Sequence, residues 1–265
     1  MLFKFQYLRP MVKLRAKHLF FVIFTFYSTL SLGQVNIRDS IVFSPLIDFT
    51  YAYKIPSGDW AKQFGNHSEI GIAFLIKTNS NLLYGADFSY LFGDQVLNTS
   101  FADGFRDASG GIIANNGLYS EVYFTERGFT LSAKIGKIFP VIGPNPNSGI
   151  MVLGGVGLLQ YKIKIEDRFQ EVPLLSSDNY YQGYDRLSNG VIFTEFIGYR
   201  LLSNRRLINV FGGFEFAQAF TKNRREINFD TGFKDTEQKL DLQVGFKVGF
   251  TLPLYKQVAN EYYYR

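Results

Sequence analysis

Between Leu240 and Leu252 the chain alternates without a break. Leu240, Leu242, Val244, Phe246, Val248, Phe250 and Leu252 are apolar, and Asp241, Gln243, Gly245, Lys247, Gly249 and Thr251 stand between them. A period of two puts the two sets on opposite faces of an extended strand, whereas a helix would scatter both around its circumference. A strand with one wholly apolar face and one polar, partly charged face has to lie at a boundary between two media. That requirement constrains everything else the chain can build.

The same rhythm recurs upstream. Ile70, Ile72, Phe74 and Ile76 alternate with Glu69, Gly71, Ala73, Leu75 and Lys77, and Tyr84 to Phe92, Phe129 to Gly136 and Val210 to Ala217 behave alike. Residues 44–54, 149–165 and 190–202 also read as strands, with faces that are less distinct. Eight strands are expected, near 43–54, 68–78, 81–93, 127–139, 149–165, 190–202, 206–221 and 238–252. Their connections alternate in length. Thr78-Asn79-Ser80-Asn81, Gly143 to Ser148 and Ser203-Asn204-Arg205-Arg206 are short and rich in turn formers. Long polar stretches lie near 55–67, 94–126, 166–189 and 222–237. Within 94–126, Asn115-Asn116-Gly117 before Leu118–Phe124 predicts a hairpin that raises the walls.

The N-terminus is read separately. Lys4, Arg9, Lys13, Arg15 and Lys17 precede the apolar run Leu19–Leu32, and Gly33-Gln34 follows. A basic region, an apolar run and small residues describe a secretory signal peptide, and the run is too short for a membrane-spanning helix, which needs about 20 residues. Cleavage is expected at Gly33/Gln34, leaving 34–265 as one domain. Residues 1–33 hold five of the 28 Lys and Arg and none of the 23 Asp and Glu, so the mature chain is formally neutral. Its apparent basicity therefore argues for no nucleic-acid partner. The chain has no cysteine, which excludes disulfides, thiol nucleophiles, cysteine metal sites and a lipid-anchored N-terminal cysteine.

Two eight-stranded barrels fit this pattern. A lipocalin-type barrel would turn its apolar face inward around a ligand; a membrane barrel would turn it outward to lipid. The polar faces are heavy in glycine, which suits a narrow interior. Aromatic residues, 17% of the chain, gather near expected strand ends (Tyr51, Tyr53, Tyr90, Phe92, Phe139, Tyr161, Tyr199, Phe220, Tyr255), as interfacial girdles would. The expected fold is therefore all-β: an eight-stranded antiparallel up-and-down transmembrane β-barrel of a Gram-negative outer membrane. Its four long loops would be extracellular and its short turns periplasmic.

An interior of eight strands is filled by side chains, so a diffusive pore is not expected. Asp48, Glu69, Lys77, Asp87, Lys134, Glu195, Glu215, Asp241 and Lys247 are candidates for a lumen charge network, either a proton or gated cation path or a set of paired charges. Catalysis would need a His beside a nucleophile and an acid. The mature chain's one histidine, His67, has Ser57, Ser68, Asp59 and Glu69 near it in sequence, but these name no complete triad. No metal cluster or phosphate-binding loop is evident, and no cofactor is expected. In the loops, Tyr180, Tyr181, Tyr184 and Arg186 mix aromatic and polar groups suited to protein contacts. Arg224 and Arg225 could hold a lipopolysaccharide phosphate or partner protein, or pair with local acids.

Several stretches carry a resemblance. Gly136-Lys137-Ile138-Phe139-Pro140 leading to Gly143–Gly149, then Gly183-Tyr184-Asp185-Arg186-Leu187-Ser188-Asn189-Gly190, the tail Glu261-Tyr262-Tyr263-Tyr264 and the signal ending Gly33-Gln34 resemble small outer-membrane barrels of the Bacteroidota. The likeness lies in turn motifs and style, and no active-site residue carries over. Arg265 departs from an aromatic-ended tail, so the tail is not read as an assembly signal. The resemblance implies an accessory or scaffold subunit of a multiprotein envelope complex, such as type IX secretion or gliding machinery, with outer-membrane lipid and other envelope proteins as partners. The alternative is a barrel that binds or processes lipid or a small solute, as a carrier, narrow channel or lipid-modifying enzyme.

Overall fold

The computed structural model describes residues 38–167, 172, 180–204 and 208–255. The expected signal peptide and cleavage site, the aromatic tail, and Arg205 and Arg206 lie outside these residues. Eight strands close into one barrel: β1 (Ser44–Gly58), β2 (His67–Lys77), β3 (Leu82–Gly93), β6 (Val122–Phe139), β7 (Gly149–Asp167), β8 (Ser188–Leu202), β9 (Asn209–Asn223) and β10 (Gln238–Pro253). Their order is β1-β10-β9-β8-β7-β6-β3-β2, each antiparallel to both neighbours. β1 pairs β10 from Leu46↔Pro253 to Gly58↔Asp241, so the barrel has no free edge. In the β3–β6 connection, β4 (Ile112–Ile113) and β5 (Tyr119–Ser120) form a separate hairpin. Its tip is closed by Gly117 N–H donating to Ala114 O, with Gly117 at φ +79°.

The apolar faces point outward. Phe49, Ile72, Phe88, Leu131, Phe214 and Phe250 are all exposed on the wall, while Asp48, Asp87, Lys134, Glu215 and Lys247 are buried inside. This inverts a water-soluble protein and matches a strand barrel solvated by hydrocarbon. β6 and β7, at 18 and 19 residues, exceed the 9–11 that cross a bilayer. Their pairing runs on to Val122↔Asp167, so the wall rises past the apolar belt on the long-loop side.

Two expected features differ. Tyr161, expected in a girdle, is buried in the lumen, because the inward row of β7 is itself largely apolar (Met151, Leu153, Leu159, Tyr161, Ile163). With both rows apolar, its sequence could not reveal which side was in. Glu195, expected in the lumen, faces outward, while Thr194 and Phe196 face in. The physical reason is parity. Glu195 and Arg200 are an odd number of residues apart on β8, so they occupy opposite faces, and Arg200 takes the inside.

The turn end is stapled shut. Asn147 Oδ1 accepts from Val42 N–H at 2.9 Å and from Lys77 Nζ at 2.8 Å, and its Nδ2 donates to Ser40 O at 2.8 Å. Asn145 Nδ2 donates to Leu202 O at 2.6 Å. The short turn after β6 thus ties the segment before β1, the end of β2 and the end of β8 across the barrel mouth. Just above it lies an apolar layer that includes Leu46, Leu75, Leu83, Ile138, Met151, Phe196 and Phe211.

Candidate functional site

The lumen gathers the chain's buried charge, arranged in levels. Lowest, Arg200 makes a two-pronged bond to Asp48, with Nη1 to Oδ1 at 3.1 Å and Nη2 to Oδ2 at 2.6 Å. Thr251 Oγ1 donates to the same carboxylate at 2.6 Å, and the guanidinium lies 4.6 Å from the Phe211 ring centre. Such a bidentate pair satisfies both carboxylate oxygens and holds the arginine plane against the ring.

Above it, Glu215 is the hub. Lys54 Nζ is 2.6 Å from its Oε1, and Lys247 and Lys134 approach Oε2 at 3.1 and 3.4 Å. Asp87 accepts from Lys247 at 3.1 Å and lies 3.8 Å from Lys134, which also donates to Thr194 Oγ1 at 2.7 Å. Glu69, also buried, lines the same space. Three lysines thus meet Asp87, Glu215 and Glu69, and the cluster is formally neutral. Glycine makes this packing fit: a Cβ on Gly155 would lie 2.6 Å from Thr194 Oγ1 and 2.7 Å from Lys134 Cδ, where the lysine stem now runs. Two small spaces adjoin the cluster, about 10 Å3 among its own residues and about 20 Å3 between it and the Asp48–Arg200 pair, room for a few waters.

At the loop end the lumen is capped. The short 3-10 turn Trp60–Lys62 folds inward and buries Trp60 between His67, at 5.2 Å, and Tyr161, at 4.8 Å, ring to ring. The Trp60 indole N–H donates to Glu126 Oε1 at 2.5 Å. His67 sits between two carboxylates, Nδ1 3.6 Å from Glu126 and Nε2 3.8 Å from Glu69. Tyr161 donates its hydroxyl to Asp241 at 2.8 Å, as Thr221 does at 2.6 Å. Phe64, Leu91, Phe101, Leu159, Ile163 and Ile192 complete an apolar lid over these groups.

Of the expected lumen residues, Glu69, Asp87, Lys134, Glu215 and Lys247 share the central cluster. Asp48 pairs with Arg200, Asp241 sits under the lid, Lys77 belongs to the turn-end staple, and Glu195 faces outward. Sequence reading missed Lys54, Glu126, Arg200 and Trp60. Lys54 and Arg200 were available from strand parity. Trp60, the one tryptophan, stands with Phe64 in a polar stretch, and large rings in a loop have to find burial. His67, weighed for catalysis, is fully enclosed, with no serine hydroxyl hydrogen-bonded to it among the described residues.

The loop residues hold one another. Arg225 forks onto Asp185, with Nε to Oδ1 at 2.8 Å and Nη2 to Oδ2 at 2.5 Å, which raises the guanidinium pKa further. Arg186 pairs with Asp230 at 2.5 Å, and Arg224 donates to Asn189 at 2.5 Å. Tyr184 packs edge-on against Phe229 and Phe105; burial and the Asp230 charge raise its hydroxyl pKa. Lys162 donates to the Tyr181 hydroxyl at 3.2 Å, and Tyr180 packs on Phe229 while staying half exposed. The connections after β7 and β9 therefore form one interlocked crown.

No family model and no curated relative matches the chain. Among solved structures it is similar to Neisserial surface protein A, with 11% identity and a TM-score of 0.41 over 79% of this chain and 96% of that one. It is also similar to Ail, the attachment invasion locus protein of Yersinia pestis, with 9% identity and a TM-score of 0.40 over 79% and 98%. A third similar structure is the outer membrane protein OprG of Pseudomonas aeruginosa, with 14% identity and a TM-score of 0.33 over 82% and 99%. The closed sheet and its external apolar belt place the protein itself in a bacterial outer membrane, the setting in which this architecture is stable.

Proposed function

We propose that the protein is a non-catalytic barrel that works as an accessory or scaffold subunit of a cell-envelope complex. The observation that carries this reading is the filled lumen: a turn-end staple, two apolar layers and a neutral charge cluster between them leave only small spaces that hold a few waters. A carrier or channel needs a continuous passage, and a lipid-modifying enzyme needs a nucleophile and base reachable from the bilayer or the loops. The candidate groups are instead engaged with one another inside. What remains outward is a set of interlocked loop residues, a wall in lipid and a stapled base, surfaces for holding other proteins. The resemblance to small Bacteroidota barrels favours a type IX secretion or gliding assembly as the complex.

The test is gentle detergent extraction of the tagged full chain, affinity purification and mass spectrometry, with conductance recorded on the purified protein in planar bilayers. The expected result is stoichiometric co-purification of other envelope proteins and a silent bilayer. An isolated barrel carrying bound lipid, a hydrolytic activity lost on His67→Ala, or reproducible unitary conductance would overturn it.

A further inference from the structure

Glu195 is the central residue of β8, and its side chain stands on the outer wall. Phe193 and Ile197 flank it on its own strand, and across the sheet it pairs with Phe216, the central residue of β9. A carboxyl group there stands midway along the strand in the apolar outer wall. Charge on the lipid face of a barrel is destabilising, and an ionisable group in that position needs a partner. Arg200, the basic residue of the same strand, is on the other face and engaged with Asp48.

Two neighbours make this more than an isolated acid. Gln218 on β9 also points outward, opposite Phe193 and thus diagonal to Glu195, between Phe216 and Phe220. Among the described residues, neither Glu195 nor Gln218 has a hydrogen-bond partner. On the other side Glu195 pairs with Gly154 of β7, and a Cβ at Gly154 would meet nothing nearer than Ile135 O at 4.0 Å. The wall is notched beside the acid. One patch therefore combines a carboxyl, an amide and a recess within an otherwise apolar surface.

We infer that the β7–β9 wall centred on Glu195 is a lateral interface with a second copy of this chain. Two copies inserted in the same sense are related by a two-fold axis along the membrane normal, which brings like residues together at like depth. A carboxyl accepts and an amide donates, so the patch complements itself. Glu195 of each copy can accept from the Gln218 amide of the other. A partner that instead offered a cation would have to desolvate an ion pair in hydrocarbon, which self-association avoids. The notch at Gly154 gives an aromatic ring of the second copy a place to seat. This interface is independent of the scaffold reading above, which concerns other proteins.

The absence of cysteine makes the test direct. Single variants Ile197→Cys, at the patch, and Phe74→Cys, on the opposite β2 wall, are reconstituted as full chains in phospholipid vesicles at low protein density and treated with a short bismaleimide. Expected is a species of twice the mass for Ile197→Cys and not for Phe74→Cys. Adding Glu195→Leu and Gln218→Leu together should lower its yield at least tenfold, while Glu195→Gln keeps it; gel mobility with and without heating confirms that each variant is folded. Absence of the dimer, equal yields at both positions, or a yield unchanged by the double leucine variant would overturn the inference. So would cross-linking in whole cells to a different protein in place of a second copy.

Discussion

Glu215 is the residue on which the interior turns, because three lysines meet at its two oxygens. Removing one partner of a buried ion pair leaves the others uncompensated, at a cost of about 3–5 kcal/mol. Glu215→Ala should lower unfolding stability by that amount in a urea titration from vesicles, followed by fluorescence of the single tryptophan, Trp60. A second residue-scale prediction concerns the exposed β4–β5 hairpin. Asp107 accepts from the Tyr119 hydroxyl at 2.6 Å and from Ser109 Oγ at 2.7 Å, which holds its carboxyl at about 2, below its ordinary 3.8. A depressed carboxyl contributes its stabilisation above its unfolded pKa and loses it as pH falls through the folded one. Protease nicking of the hairpin, probed with an acid-active protease, should therefore be slow at pH 5 and faster near pH 2. Asp107→Asn should remove the difference.

At the scale of elements, the strands were legible where one row was polar and the other apolar. β10 and β2 have that form, and alternation gives their extents and separates their two faces, while the glycine-rich polar rows and the aromatic strand ends indicate which face is outward. β7 resisted because both rows are apolar, and β8 because Glu195 and Arg200 make opposite demands on its facing; only the neighbours' packing decides between them. Ile72, the central residue of β2, faces lipid, and Ile72→Arg should cost about 2–4 kcal/mol in the same urea titration. The turn Gly143–Ser148 was legible as a turn but not as a staple, since a sequence cannot say which distant backbone groups an asparagine will reach. Asn147→Ala leaves the Val42 amide without its acceptor and Lys77 with Val42 O, about 1–3 kcal/mol for the buried amide left unpaired. Hydrogen exchange at the ends of β1 and β2 should rise, with the loop crown unaffected.

For the whole molecule, the alternation of long and short connections was enough to anticipate an up-and-down barrel. The mixed signs of the inward residues made paired charges one of the two readings of the interior. What sequence could not supply was the arrangement of those pairs, which joins residues far apart in the chain, such as Asp48 with Arg200 and Lys54 with Glu215. The lid was equally hidden, because Trp60 and Phe101 lie in connections with no periodicity to read. The apolar rows face lipid and the polar rows face a packed interior. Spin labels placed singly from 240 to 252 in a bilayer test it, read by collision with oxygen, which partitions into hydrocarbon, and with a water-soluble nickel chelate. The account predicts high oxygen accessibility at positions 244, 246, 248 and 250 and little access to either probe at 243, 245 and 247. Strong nickel accessibility at 243, 245 and 247, or the opposite phase of oxygen access, would contradict it.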